Sequence, residues 1–169
     1  MSAKVGEVDA VTDITVDATT DAGDELPQML IFRVGGELFA MELAASEEVL
    51  EWPGIERLSG LSGSALGVFT LRDQLMSVYS PEHALGVRRE EEAGVVLVIR
   101  ARGRRIALAL DDVEDVIGVD LRDVKRPSPR DAADGILVGI ARYGDALVAL
   151  VNVDALAAAC MDSQAGEMI

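Results

Sequence analysis

Few side chains in this 169-residue chain are suited to chemistry, and they are scattered. His83 is the only histidine and Cys160 the only cysteine. A dyad of the two would need Cys160 as a thiolate, yet it falls in the Ala-rich stretch Ala155–Met161, where a free cysteine serves as a small packing residue. His83 follows Ser80-Pro81-Glu82, and no Gly-x-Ser-x-Gly elbow supplies another nucleophile. Asp111, Asp112, Glu114 and Asp115 form the densest carboxylate run. A calcium loop needs Asp-x-Asp-x-Asp-Gly and a distal Glu; here Val113 and Val116 interrupt instead, as in a solvated strand-to-turn edge. Gly60, Gly63 and Gly67 make neither a dinucleotide fingerprint nor a phosphate cradle. Arg100, Arg102, Arg104 and Arg105 cluster in a turn, to meet an acidic partner or to complement the protein's own acids. This inventory predicts no catalytic group, no metal and no cofactor. It predicts binding.

The elements that position these residues are short. Half the residues are hydrophobic, but they come in blocks of about five, such as Val95–Ile99 and Ile106–Leu110, far below the ~20 a membrane-spanning helix needs. The N-terminal MSAKVGEVDA has no apolar signal-peptide core, and a single cysteine fits a reducing cytoplasm. A formal net charge of -15 disfavours nucleic acid and anionic lipid surfaces. Residues 1–27 hold Glu7, Asp9, Asp13, Asp17, Asp21, Asp24 and Glu25 against Lys4 alone, without helical or strand period, and are expected to form a flexible acidic tail.

From Gln28 the pattern becomes β. Leu30, Phe32 and Val34 lead through Gly35-Gly36 into Glu37–Leu43, a hairpin signature. Ser46–Trp52 reads as a helical turn or bent strand, and Ser59–Gly67 as a loop. Strands are predicted at Val68–Leu71, Leu75–Tyr79, Val95–Arg100, Ile106–Leu110, Val116–Leu121, Ile136–Ala141 and Ala146–Val151. Asn152 or Asp154 can cap a final helix over Ala155–Met161.

The segment from Gly67 through Asp73 to Ser80 runs without a gap beside Gly139 through Asp145 to Asn152, at an offset of 72 (139 minus 67). The hairpin Leu30–Leu43 leads to Glu48-Val49-Leu50 as Val95–Leu110 leads to Asp115-Val116-Ile117. Two five-stranded units with short helices follow, each closed into a small barrel to hide its edges. Their expected bounds are about 28–92 and 93–151, with a terminal helix at 154–161 and a tail at 162–169.

The chain resembles the CheW-like domain of chemotaxis coupling proteins and of the CheA histidine kinase. The resemblance rests on Phe32–Ala40, Ser46-Glu47-Glu48-Val49, Gly67-Val68-Phe69-Thr70-Leu71-Arg72-Asp73, Leu110–Val113 and Gly139–Leu156, covering about Gln28 to Met161. Ser46 stands where that family usually has Val, and Asp73 where it has Gly; Ser77, Ser80 and Pro81 replace a usual Pro, Asp and Leu. The resemblance implies a non-catalytic, cytoplasmic adaptor. It would couple a chemoreceptor cytoplasmic tip to the regulatory domain of a CheA-type histidine kinase, through barrel edges and an intervening groove. Glu48, Val49, Leu71 and Arg72 are the implied partner-contact residues, although Arg72 could instead tie down a turn through backbone carbonyls. The first-half departures leave open a stand-alone regulator or decoy with a single partner.

Overall fold

The structure, a computed structural model, describes residues 26–60 and 63–167; the predicted acidic tail up to position 25 lies outside them. Ten strands are laid down in order: β1 (Gln28–Val34), β2 (Glu37–Glu42), β3 (Ser46–Glu51), β4 (Ala65–Leu71), β5 (Gln74–Tyr79), β6 (Val95–Ala101), β7 (Arg104–Leu110), β8 (Asp112–Gly118), β9 (Leu137–Tyr143) and β10 (Ala146–Val151). A four-residue helix α1 (Glu82–Leu85) follows β5, and helix α2 (Val153–Glu167) follows β10. Asn152 caps α2 by accepting the Ala155 N–H at 2.9 Å. The helix runs beyond its expected end at Met161, into the segment read as a tail.

Four strand pairs are joined by two-residue turns, and three of those turns place both residues at positive φ: Gly35-Gly36, Arg72-Asp73 and Arg102-Gly103. Such primed turns match the right-handed twist of the strands they join. Asp73, at φ 69°, occupies a conformation that costs every residue but glycine something, aspartate less than most. Asp73→Gly should therefore raise stability by about 0.5–1 kcal/mol, read as a higher denaturant midpoint at unchanged slope. No gain would mean that the Asp73 side chain offsets its own strain.

The halves of the repeat interlock. One sheet has the order β8-β1-β2-β10-β9 and the other β3-β6-β7-β5-β4. Exchanging each strand for its repeat equivalent turns one order into the other. Each half thus lends its first hairpin to the other sheet, which corrects the expectation of barrels built from consecutive chain. The inserted hairpin is joined on one side by an antiparallel ladder, β1 to β8 and β6 to β3, and on the other by a short parallel pairing, Leu150 against Ala40 and Val78 against Ala107.

Nor are the sheets closed barrels. Each curls until the chain just past one edge strand meets the opposite edge strand at a single bridge, Glu56 to Val68 and Lys125 to Ile140. Each bridge has two backbone bonds: Glu56 and Val68 exchange theirs at 2.8 and 3.0 Å, Lys125 and Ile140 at 2.9 and 2.8 Å. These contacts blunt the free edges without a full ladder. They also explain the repeat glycines: a Cβ on Gly67 would collide with the Glu56 carbonyl, and one on Gly139 with the Val124 side chain.

Curling creates three apolar layers. Met29, Ile31, Ala40, Val148 and Leu150 fill the inside of the first sheet, and Phe69, Met76, Val78, Val96, Val98, Ala107 and Ala109 the inside of the second. Between the sheets lie Leu30, Phe32, Phe39, Leu97, Ile99, Ile106 and Leu108, capped by Leu156, Ala157 and Cys160 of α2. Central strands therefore bury both faces, so β6 reads Val-Val-Leu-Val-Ile with no polar alternation. Alanines at 40, 107 and 109 face the insides, where curvature leaves least room. Each fully buried leucine, isoleucine or phenylalanine contributes about 1.5–3 kcal/mol.

Candidate functional site

At the mouth of the second sheet, two residues predicted as partner contacts meet. Arg72, at the tip of the β4–β5 turn, lays its guanidinium fork on Glu48 of edge strand β3, Nη1 to Oε1 at 2.8 Å and Nη2 to Oε2 at 2.6 Å. They lie 24 residues apart in the chain. Curling of the sheet brings them together. The guanidinium thus holds a carboxylate and not the turn's backbone carbonyls. Arg72 remains two-thirds exposed while Glu48 is mostly covered, and the pairing raises the Arg72 pKa further. Leu71 is half-buried against the inner core of the sheet. Val49 departs from the expectation: its side chain is buried in the layer between the sheets, so it anchors β3 and presents nothing to a partner.

On the other face of β3, Glu47 accepts from Arg100 at 2.8 Å and Arg105 at 2.7 Å, and Arg105 also reaches Gln74. Burial pushes the Glu47 carboxyl up, but the two guanidinium groups outweigh it and hold the pKa below the ordinary value. Two of the four clustered arginines thus complement the protein's own acid. Arg104 contacts Met161 Sδ, and the Arg102 N–H donates to Asp154. The first sheet carries a counterpart of the Glu48–Arg72 closure: Asp115, the repeat equivalent of Glu48, accepts from the hydroxyl of Tyr143, the equivalent of Leu71, at 3.0 Å. Burial first, then the Asp115 carboxylate, raises the Tyr143 pKa.

The groups with chemical potential are dispersed. Cys160 is fully buried, its Sγ 3.8 Å from the Ser80 carbonyl, and burial pushes its thiol up to about 12. His83 sits exposed on α1. The four clustered carboxylates point to separate tasks. Asp111 holds Gly36 N–H and Arg89, Asp112 the Val113 N–H, Glu114 takes Arg33, and Asp115 takes Tyr143. Among the described residues no group of three His, Cys, Asp or Glu side chains is placed to hold a metal ion. No described helix is long and apolar enough to cross a membrane.

Sequence reasoning missed Arg89, in the charged stretch between α1 and β6. Its side chain is 9% exposed and donates to Asp111 Oδ1 (2.9 Å), Glu82 Oε2 (3.1 Å) and the Ala109 carbonyl (2.7 Å). Burial raises the Asp111 pKa, but bonds from Gly36, Arg89 and Gly35 outweigh it, so the carboxyl lies below its usual value. A folded-state pKa below the unfolded one contributes stability that is complete above the unfolded pKa and is lost as pH falls through the folded value. The thermal midpoint should therefore hold down to about pH 5 and fall below it. In Asp111→Asn the drop should be shallower; an identical acid profile would mean Asp111 is not among the groups responsible.

A groove of about 500 Å³ opens beside the junction of the two sheets. Met29, Val138, Leu150 and Val151 of the first sheet line it, with Leu121 from the 3-10 turn Leu121–Asp123. Leu121 is 61% and Val138 49% exposed. Leu121 was expected to end a strand at Val116–Leu121; β8 instead spans Asp112–Gly118, which leaves Leu121 free to project. A second exposed pair, Leu75 and Leu147, occupies equivalent positions near the tips of the β4–β5 and β9–β10 hairpins.

The model of the CheW-like domain family matches residues 28–160, the whole span of both sheets and about half of α2. The chain is 27% identical over 142 residues to the chemotaxis protein CheW of Rhizobium meliloti (strain 1021), covering 81% of this chain and 89% of that protein. It is 25% identical over 142 residues to the chemotaxis protein CheW of Klebsiella aerogenes, covering 80% and 84%. The crystal structure of the scaffolding protein TtCheW from Thermoanaerobacter tengcongensis superposes with a TM-score of 0.69 at 20% identity, over 78% of this chain and 92% of that one. That last similarity speaks for the fold alone.

Proposed function

This chain belongs to the CheW-like domain family, as the match over residues 28–160 shows, and from that premise we propose that it is a chemotaxis-type coupling adaptor that works by binding and not by turnover. The supporting observation is the extent of the match. It takes in both curled sheets, and the curated relatives that align with the chain at 80% coverage or more are chemotaxis CheW proteins. In this proposal the sheet-mouth face around Glu48, Leu71 and Arg72 meets the regulatory domain of a CheA-type histidine kinase. The groove beside the sheet junction takes the cytoplasmic tip of a chemoreceptor. Two separate surfaces on one rigid interlocked fold suit a bridge, because neither partner needs to displace the other. The buried thiol of Cys160 and the dispersed carboxylates support a role without catalysis.

Titration calorimetry of this protein with the regulatory domain of the kinase from its own cell tests the proposal. Binding at micromolar affinity or tighter is expected. A folded protein that produces no heat and no shift in co-elution would overturn it, leaving the fold adapted to another partner.

A further inference from the structure

We propose that the acidic rim of the groove selects a partner helix carrying basic residues beside its apolar stripe; this deepens, and rests on, the assignment of the groove as a partner site. The floor is made of side chains from strand faces, not of an open strand edge. The free edge of β9 next to Val138 is already taken at Ile140, whose N–H and carbonyl both bond Lys125. The bridge interrupts backbone pairing along that edge, so side chains must supply most of the affinity, as when an amphipathic helix lies in a groove on i, i+3 and i+4 anchors. An α-helix about 10–12 Å across suits such an open trough, and Leu121 and Val138 are the projecting apolar contacts it would cover.

The rim sets the sign. Glu42 ends β2 at the groove, exposed, its carboxylate making no hydrogen bond or ion pair with any described residue. Asp154 lines the same groove at the start of α2, exposed, with one oxygen accepting the Arg102 N–H at 3.1 Å. Arg100 is the only cation among the described lining residues, and Glu47 already engages it at 2.8 Å. The groove thus offers two carboxylates in need of counter-charge and no available cation. The net charge of -15 reinforces that field. A basic flank on the incoming helix is attracted, and an acidic one repelled.

The test uses the full chain and two synthetic helices with the same leucine stripe, one flanked by lysine and the other by glutamate. Affinities are measured by fluorescence anisotropy at low and high salt. The lysine helix should bind about three- to tenfold tighter, the range that one or two exposed charge pairs supply. That gap should narrow at high salt, shrink in Glu42→Gln and close in Glu42→Lys, where the new ammonium offsets Asp154. Leu121→Asp and Val138→Asp should weaken both helices alike. All four substitutions sit at exposed positions, so circular dichroism should show an unchanged fold. Equal binding of the two helices, unaltered by Glu42→Lys, would overturn the charge selection while leaving the groove as a docking site. If neither helix binds, or if Leu121→Asp changes nothing, the groove assignment falls and the selection with it.

Discussion

Arg89→Ala is expected to destabilise the protein by about 2–3 kcal/mol, the largest single loss among the charged residues. The guanidinium is 9% exposed and joins three parts of the chain: Glu82 on α1, Asp111 between β7 and β8, and the Ala109 carbonyl. Removing one member of a buried charge network costs about 3–5 kcal/mol, because the partners are left desolvated and unpaired. Glu82 and Asp111 keep about a quarter of their side-chain exposure, which lets water take over part of the lost contact and sets the lower figure. The Arg89 backbone N–H also bonds Glu82 Oε1 at 2.7 Å, a contact that survives the substitution. Urea unfolding of wild type and variant measures the loss. The double variant Arg89→Met with Asp111→Asn should recover part of it, since methionine refills the space and no unpaired charge is left at position 111. A change within about 0.5 kcal/mol of wild type, the range of an ordinary surface substitution, would show that the network is idle.

Arg72→Ala is expected to lower affinity for the proposed kinase regulatory domain by about tenfold or more, the effect of an arginine at the centre of an interface. Stability should stay close to wild type, because the guanidinium is largely exposed and solvent screens its pairing with Glu48. The dissociation of the two readouts is what marks a binding residue. Arg72→Lys should fall between, as an ammonium keeps the charge but cannot span both carboxylate oxygens. The charge-swapped double variant, Glu48→Arg with Arg72→Glu, rebuilds an ion pair with the opposite face presented. Restored binding in the swap would mean that the pair serves only to close the sheet mouth. Wild-type affinity in folded Arg72→Ala, measured by calorimetry, would remove this face from the interaction altogether.

Much of the fold was legible along the chain because its signals are local. Alternation with Gly35-Gly36 predicts the first hairpin, and Ala146–Val151 was read to the residue. The turn Arg72-Asp73 carries no glycine, but its flanking strands bracket it. Where the reading slipped, a local pattern stood for something else. The acidic run from Asp112 to Asp115 does lie on an edge strand, but β8 begins at Asp112 and not at the expected Val116, and its carboxylates cap nearby N–H groups and bind Arg33 and Tyr143. The pairing of Glu48 with Arg72 could be guessed from their prominence but not from their spacing. Arg89 gave no signal, since a burial of 9% exposure is a property of neighbours distant in the chain.

What the sequence by itself determined was nine of the ten strands, with Ser46–Trp52 open between helical turn and strand, and the two-fold repeat of their order, because strand periodicity, turn residues and repeated glycines act over a few residues at a time. It determined the family as well, through motifs in that order. Only the tertiary structure decided which strands share a sheet. An isolated hairpin from either half satisfies its own backbone equally well, and nothing local distinguishes pairing with its own half from exchange with the other. Burial decides it: exchange puts Leu30, Phe32, Leu97 and Ile99 into one layer shared by both sheets, while Ala40, Ala107 and Ala109 fill the tight insides. The sheet-mouth face and the groove arise from that exchange, so they belong to the folded molecule and to no segment of the chain.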